Sequence, residues 1–123
     1  METIYGNVPS KSNCYKIITL RNKATGKTYS SLGKTGALKK YENQFYIQLS
    51  GELRNKMIEG YFEIEVNVYY PSGRSDLDNS LKAILDCLQK AKAIKNDNKC
   101  VKITAQRFID KKEPRVEFNI IEL

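Results

Sequence analysis

The chain has 123 residues, of which 41% are apolar and 28% charged, with 21 basic and 14 acidic side chains. This size and composition suit one globular domain over residues 1–123 and exclude a disordered tail. No run approaches the roughly 18 uncharged apolar residues that a membrane helix needs. The N-terminus lacks the layout of a signal peptide, and the three cysteines have no Cys-x-x-Cys spacing, so we expect a cytoplasmic protein.

Histidine is absent from the sequence. Its absence excludes Ser-His-Asp and Cys-His hydrolases, histidine-based zinc sites and nucleases that use histidine as the general base. Any catalytic chemistry therefore falls to carboxylates, lysine, arginine, tyrosine, serine or cysteine.

The first third of the chain predicts short strands. Residues 2–8 have the pattern of a strand that Pro9 closes, and residues 14–20 predict a second strand. A turn around Gly26 follows, after which residues 28–31 return as a hairpin partner.

The middle of the chain predicts a helix followed by a strand. Apolar residues recur at helical spacing over residues 35–58, where Gly51 is the expected interruption. Residues 61–70 alternate between apolar and polar side chains, which predicts a half-buried strand.

The last third predicts a helix and a hairpin. One continuous apolar stripe begins at Leu77 and indicates a helix that ends near residues 90–93. Residues 95–98 form a turn, and residues 99–109 and 115–121 are expected to pair as a hairpin. The order of elements predicts an α/β or α+β domain, in which two main helices pack on a mixed sheet.

The basic side chains are concentrated near the N-terminus. No acidic residue occurs from Thr3 to Tyr41, whereas residues 61–123 are nearly balanced in charge. A one-sided basic region favours a polyanionic partner, most simply nucleic acid, over a merely solvated basic surface. The candidate phosphate contacts in this region are Lys11, Lys16, Arg21, Lys23, Lys27, Lys34, Lys39 and Lys40.

Four of the five aspartates lie close together in the sequence: Asp76, Asp78, Asp86 and Asp97. Asp76 and Asp78 fall at the start of the second predicted helix, where they are also good capping residues. If the strand after Asp97 pairs beside strand 61–70, Asp97 is expected to return to this end of the helix. Three converging carboxylates require a cation, and Mg²⁺ or Mn²⁺ prefers such oxygens.

A lysine follows the acidic pair. Lys82 lies four residues after Asp78 and is suited to offset charge that develops on a phosphate. The alternative is an exposed ion pair with Asp78, worth about 0.3–0.5 kcal/mol. Asp86 is expected on the same flank of the helix, where it either supports the site or is only solvated.

The run from Arg74 to Lys82, followed by Asp86 and Asp97, resembles the RusA family of Holliday junction resolvases. The segment from Pro9 to Tyr15 is similar to the opening of that family. The resemblance spans roughly residues 5–122, and its acidic motif is specific in combination, although Asp-x-Asp alone is not.

The resemblance implies a function and a set of site residues. Asp76, Asp78 and Asp97 would be catalytic metal ligands for Mg²⁺, with Mn²⁺ as a substitute, and Lys82 would lie near the scissile phosphate. Family members are homodimers, often carried by phages, that nick two symmetry-related strands of a four-way DNA junction. The remaining residues that the resemblance supports are Arg74 for DNA binding and Asn13, Asn79 and Asp86 in supporting roles.

The chain departs from the family pattern at several positions. Asn96 replaces the first aspartate of an Asp-Asp pair, and Ser75 thins the arginine-rich stretch before Asp76. Cys100 stands where a hydrophobic residue is expected, and Arg107 where a lysine is frequent. These departures affect substrate preference more than the chemistry.

Two other functions compete with this interpretation. Asp97 and Lys99 form an Asp-x-Lys sequence that, with Asp76 or Asp78 upstream, is typical of restriction-like nucleases. In that case Lys99 replaces Lys82 as the catalytic lysine. The alternative of a different class is a non-catalytic, basic nucleic-acid-binding module whose aspartates only cap a helix.

Overall fold

The computed structural model describes residues 1–9, 15–74 and 77–123. In these ranges the chain forms six strands and two α-helices. The elements are β1 (Glu2–Tyr5), β2 (Tyr15–Arg21), β3 (Thr28–Lys34), α1 (Gly36–Gln48), β4 (Phe62–Tyr70), α2 (Leu77–Lys90), β5 (Cys100–Ile109) and β6 (Arg115–Glu122). A short 3-10 helix, Asp97–Lys99, immediately precedes β5.

Four of the strands form one mixed sheet in the order β1-β6-β4-β5. β4 and β5 are parallel, and the other neighbours are antiparallel. Helix α2 is the crossover that parallel strands require. The strands β2 and β3 form a separate antiparallel hairpin. The predicted α+β architecture, with two helices and a mixed sheet, is confirmed.

Helix α2 follows its apolar stripe closely. Its buried face contains Ser80, Ala83, Ile84, Cys87 and Leu88. Lys90 lies in the last turn, where a cation is favourable at the negative end of the helix dipole. The predicted start and end of this helix are therefore confirmed.

Helix α1 is shorter than the spacing over residues 35–58 suggested. Thr35 caps it, since its hydroxyl accepts a hydrogen bond from the Leu38 amide at 3.2 Å. The helix ends at Gln48, before Gly51. The following turn includes Asn55 and Met57 in left-handed backbone conformations, which no helix can continue through.

The core lies between the two helices and one face of the sheet. Alternate side chains of β4 are buried on that face, and Val116 and Phe118 of β6 join them. Phe45 of α1 stacks on Phe118 with ring centroids 5.8 Å apart. The buried residues of β4 are Phe62, Ile64, Val66, Val68 and Tyr70.

The predicted hairpin between the last two strands is wrong. β4 lies between β5 and β6 and pairs with both. The connection passes over the end of β4, where the Asp110 amide donates a hydrogen bond to the Tyr70 carbonyl at 2.8 Å. Alternating side chains predict a strand but not its neighbour, and here the βαβ crossover places β5 on the far side of β4.

Neither α1 nor α2, with 13 and 14 residues, has the length and apolar character to cross a membrane, and the search covered only the described ranges.

Candidate active site

Asp78 and Lys82 lie on one exposed face of α2, at its N-terminal end. The helix begins soon after β4 ends, so its first turn lies at the end of the sheet where β4 and β5 finish. A carboxylate in this turn is stabilised by the helix dipole. Lys82 follows one turn later on the same face. Ser75 and Asp76 lie outside the described residues.

Asp86 lies two turns further along α2 than Asp78. At about 100° per residue, eight positions rotate a side chain by about 80° from Asp78 and move it about 12 Å along the helix. Asp86 is half-buried on the flank next to α1. One turn later on that flank, Lys90 forms an ion pair of 2.8 Å with the buried Glu42 of α1. Asp78, Lys82 and Asp86 thus lie within about 80° of one another around the helix, but Asp86 is half-buried whereas Asp78 and Lys82 are exposed. A supporting role for Asp86 stays a prediction.

Asp97 lies at the opposite end of α2. Its backbone amide donates a hydrogen bond of 3.0 Å to the side-chain oxygen of Gln89, in the last turn of the helix. Eleven residues separate Asp78 from Gln89, which corresponds to about 16 Å along the helix axis. Asp97 also contributes, after burial, to raising the pKa of the neighbouring Cys100 thiol.

The direction of β5 explains this separation. β5 does pair beside β4, as the prediction required, but the two strands are parallel, with Phe62 opposite Cys100 and Tyr70 opposite Ile109. The start of β5 therefore lies beside the start of β4, at the end of the sheet where α2 also ends. The expected return of Asp97 to the N-terminal end of the helix is wrong within one chain. Among residues 1–9, 15–74 and 77–123, no three acidic or cysteine side chains form a metal-binding group.

Arg107 is a cation that contacts the loop before α2, and the sequence alone assigned it no role. It lies opposite Val68 on β5, and its guanidinium donates a hydrogen bond of 3.2 Å to the Gly73 carbonyl. Arg74 is exposed in the same loop, shortly before α2. The position of Arg107 depends on the parallel register of β5, so no local sequence signal identifies it.

The basic N-terminal region is connected to the end of the sheet where β4 and β5 finish. Tyr5 at the end of β1 pairs with Arg115, which also pairs with Tyr69 near the end of β4. The chain leaves β1 at this end of the sheet, then forms the β2–β3 hairpin and then α1. The exposed basic residues of this region are Arg21, Lys23, Lys27, Lys39 and Lys40. Lys11 and Asn13 lie outside the described residues, as do the side chains of Lys16 and Lys34.

Arg115 connects neighbouring strands at the same end of the sheet. Its side chain lies on the face of the sheet that points away from the helices. Its guanidinium bonds Asp110 at 2.9 Å and lies 3.8 Å from the centre of the Tyr69 ring. Tyr69 in turn stacks on Phe108 at 4.8 Å. The hydrogen bond from Arg115 holds the pKa of Asp110 below its usual range. These contacts join β4, β5 and β6 at the end that carries Asp78.

The lysine of the restriction-like alternative lies far from Asp78. Lys99 ends the short 3-10 helix, and its ammonium is 4.8 Å from the centre of the Tyr61 ring. Tyr61 immediately precedes β4, so Lys99 and Asp97 lie at the end of the sheet where β4 and β5 begin, whereas Asp78 lies at the other end. One chain does not bring Asp97 and Lys99 to Asp78.

A family model described as Endodeoxyribonuclease RusA matches residues 15–121. The chain belongs to the RusA family. The match covers nearly the whole sequence and includes Asp76, Asp78, Lys82 and Asp97. The resemblance drawn from the acidic motif is thereby confirmed, and the RusA family supports nuclease activity. A comparison with curated proteins gave no match.

Proposed function

We propose that this RusA-family chain is a metal-dependent endodeoxyribonuclease that resolves four-way DNA junctions by paired, symmetric nicks. The observation that carries the proposal is the family match over residues 15–121, together with the exposed Asp78 and Lys82 on one face of α2. The same end of the fold joins the basic N-terminal region.

The acidic pair fits a hard divalent cation. The exposed carboxylate of Asp78 and, by sequence, that of Asp76 offer the oxygen ligands that Mg²⁺ prefers, and Mn²⁺ accepts the same ligands. A bound cation in such a site polarises the phosphate and lowers the pKa of an attacking water. Asp76 and Asp78 would hold the cation, which would supply a Lewis acid for the scissile phosphate, and Lys82 follows Asp78 one helical turn later.

Lys82 and the nearby arginines would act on the phosphate backbone. The Lys82 ammonium stabilises the negative charge that develops on the scissile phosphate. Arg74 and Arg107 lie in or against the loop before α2, where they can bind the adjacent phosphates.

The basic region supplies sequence-independent affinity. Its lysines and arginines would follow the phosphates of the junction arms, which makes binding strongly dependent on salt. Such contacts position the DNA and recognise its shape without reading base identity. Two equivalent strands must be cut, so a homodimer with two sites suits this substrate.

A junction-cleavage assay tests the proposal. A labelled four-way junction and a linear duplex of the same arm sequence are incubated with the protein in Mg²⁺ or in EDTA. We expect nicks only in the junction and only with Mg²⁺, and we expect Asp78→Asn to abolish them. Glu65→Gln is the matched control, because it removes one exposed carboxylate from the open face of β4.

The same assay separates the binding-module alternative. A module without catalysis binds the junction but leaves it intact under any divalent cation, and Asp78→Asn then leaves its affinity unchanged or raises it. Junction binding without cleavage by the unaltered protein would overturn the proposed activity.

A further inference from the structure

The first turn of α2, which carries Asp78, is fastened to the end of β4 by a buried hydrogen bond. The hydroxyl of Tyr70, the last residue of β4, and the hydroxyl of Ser80 are hydrogen-bonded to each other at 2.5 Å. Tyr70 is 1% and Ser80 3% exposed, so water does not compete for this bond. Burying a hydroxyl without a hydrogen-bond partner is costly, so this bond stabilises the contact between α2 and β4.

Ser80 is a polar residue within the buried face of α2. The other buried residues of this helix are Ala83, Ile84, Cys87 and Leu88. Serine forms helices less readily than alanine, and alanine would continue the apolar stripe, so packing alone does not favour a hydroxyl here. The family resemblance assigned roles to neighbouring residues of the motif but none to Ser80.

A second contact holds the loop before α2 from the neighbouring strand. Arg107 of β5 donates a hydrogen bond of 3.2 Å to the Gly73 carbonyl. In the sequence, Asp76 and Asp78 both lie between Gly73 and Ser80. The segment that contains the acidic pair is therefore anchored at both ends, to β5 at Gly73 and to β4 at Ser80.

The first turn of a helix is the part that opens most readily. Its leading amides have no partners within the helix, and terminal turns unfold locally at little cost in free energy. Asp78 is exposed in this turn, so packing does not fix its side chain. Opening of the turn would displace the Asp78 carboxylate, and the apparent dissociation constant of a ligand rises as the binding-competent fraction falls.

We propose that Tyr70 and Ser80 are positioning residues, whose buried hydrogen bond keeps the first turn of α2 in the conformation that binds the metal. The inference rests on the proposed function for the identity of the ligand, a divalent cation held by Asp76 and Asp78, but not for the ordering of the turn. Both hydroxyls are buried and touch neither the cation nor the DNA. Loss of either hydroxyl therefore weakens metal binding and leaves the affinity of the basic region for the junction unchanged.

Tyr41 offers a matched control. Its side chain is 6% exposed, and its hydroxyl has no hydrogen-bond partner among the residues that the structure describes. Burial, with further contributions from Cys87 and Tyr70, raises the pKa of this hydroxyl, which therefore lies in the same buried layer. Tyr41→Phe and Tyr70→Phe remove the same atom from similar surroundings, and only the second breaks the bond to Ser80.

Hydrogen exchange measures the ordering of the turn without activity. The amides of residues 81–84 bond the carbonyls of the first turn, whereas those of residues 87–90 report on the last turn. We expect Tyr70→Phe and Ser80→Ala each to speed exchange at residues 81–84 by about 2–10-fold, the factor that one hydrogen bond supplies, and to leave residues 87–90 unchanged. Tyr41→Phe should change neither. Equal acceleration at both ends of α2 would show a loss of global stability and would overturn the positioning role.

Manganese binding tests the consequence for the site. The electron paramagnetic resonance signal of free Mn²⁺ gives the bound fraction, and Asp78→Asn defines the binding that depends on Asp78. We expect Tyr70→Phe and Ser80→Ala each to raise the apparent dissociation constant by about 2–10-fold, and the double variant to do no more, because both changes remove one shared bond. Gel shifts in EDTA should give equal junction affinities for all these proteins.

The two proposals fail in different ways. If Asp78→Asn weakens Mn²⁺ binding but Tyr70→Phe and Ser80→Ala bind it as tightly as Tyr41→Phe, the bond does not position the site, and only this inference is overturned. If Asp78→Asn binds Mn²⁺ as tightly as the unaltered protein, Asp78 holds no metal, which overturns the metal site of the proposed function and the positioning role with it.

Discussion

The chemistry at the residue scale depends on which lysine faces the acidic pair. Lys82 is one turn from Asp78 on the exposed face of α2, whereas Lys99 lies near the ring of Tyr61 at the opposite end of the sheet, where β4 begins. The sequence offered both lysines at plausible spacings. Only the parallel direction of β5 distinguishes their positions within the chain.

Lys82→Ala is expected to lower junction cleavage by about 10²-fold or more, because a charge that stabilises the transition state is removed. Lys99→Ala is the matched control and should change the rate by only a few-fold. Single-turnover rates, together with gel-shift affinities, separate loss of chemistry from loss of binding. The reverse order of the two variants would favour the restriction-like alternative.

A second prediction at this scale concerns pH and the Asp110–Arg115 pair. The hydrogen bond from Arg115 lowers the pKa of Asp110, so the pair stabilises the folded state above the ordinary aspartate pKa of about 3.9. That contribution disappears as the pH falls through the lower pKa of the folded protein. Asp110→Asn should therefore melt at a lower temperature than the unaltered protein at pH 7, and the difference should shrink at pH 2.5. A difference that persists unchanged at pH 2.5 would mean that the pair does not stabilise the fold through ionised Asp110.

Individual elements followed the sequence pattern, and the predicted β2–β3 hairpin is confirmed, but the predicted pairing of the last two strands is wrong. The stripe that begins at Leu77 predicted α2, and the alternation over 61–70 predicted β4, because helical and strand periodicities are local properties. The predicted hairpin between β5 and β6 was wrong because the alternation of apolar and polar side chains identifies a strand but does not indicate which strand pairs with it. The same ambiguity misplaced Asp97, whose position follows from the crossover.

The buried stripe of α2 should carry much of the stability of this layer. Leu88 is fully buried at 0% exposure, so Leu88→Ala should lower the free energy of unfolding by about 2–5 kcal/mol through lost transfer energy and a cavity. Ile47→Ala, on the outer side of α1 at 65% exposure, should change it by less than about 0.5 kcal/mol. Urea unfolding monitored by circular dichroism measures both. Equal effects of the two substitutions would show that α2 does not pack as described.

For the whole molecule, the family and the fold class were predictable from the sequence, whereas the arrangement of the site was not. The roles of Asp78, Lys82 and Asp97 stay predictions that the family resemblance implies. Their arrangement in space depends on the direction of β5, which runs parallel to β4.

Ile103→Lys is expected to disrupt the proposed homodimer and junction cleavage without unfolding the chain, because it places a charge on the exposed apolar face of the edge strand β5, where Ile103 is 43% exposed. Ile47→Lys is the control, since it adds the same charge on α1, away from that face. Sedimentation velocity gives the oligomeric state and circular dichroism the fold. A monomeric unaltered protein, or an Ile103→Lys protein that remains dimeric, would contradict a homodimer that packs through this face.

The central claim is that the protein cuts a branched junction twice, at symmetric positions. The most direct measurement uses a supercoiled plasmid that extrudes a cruciform, incubated with the protein and Mg²⁺. Paired nicks across the junction convert the plasmid to a linear product whose ends map to the base of the cruciform, and this is the result we predict. Nicked circles at positions unrelated to the cruciform, or an unchanged plasmid in both Mg²⁺ and Mn²⁺, would contradict the assignment of this chain as a junction resolvase.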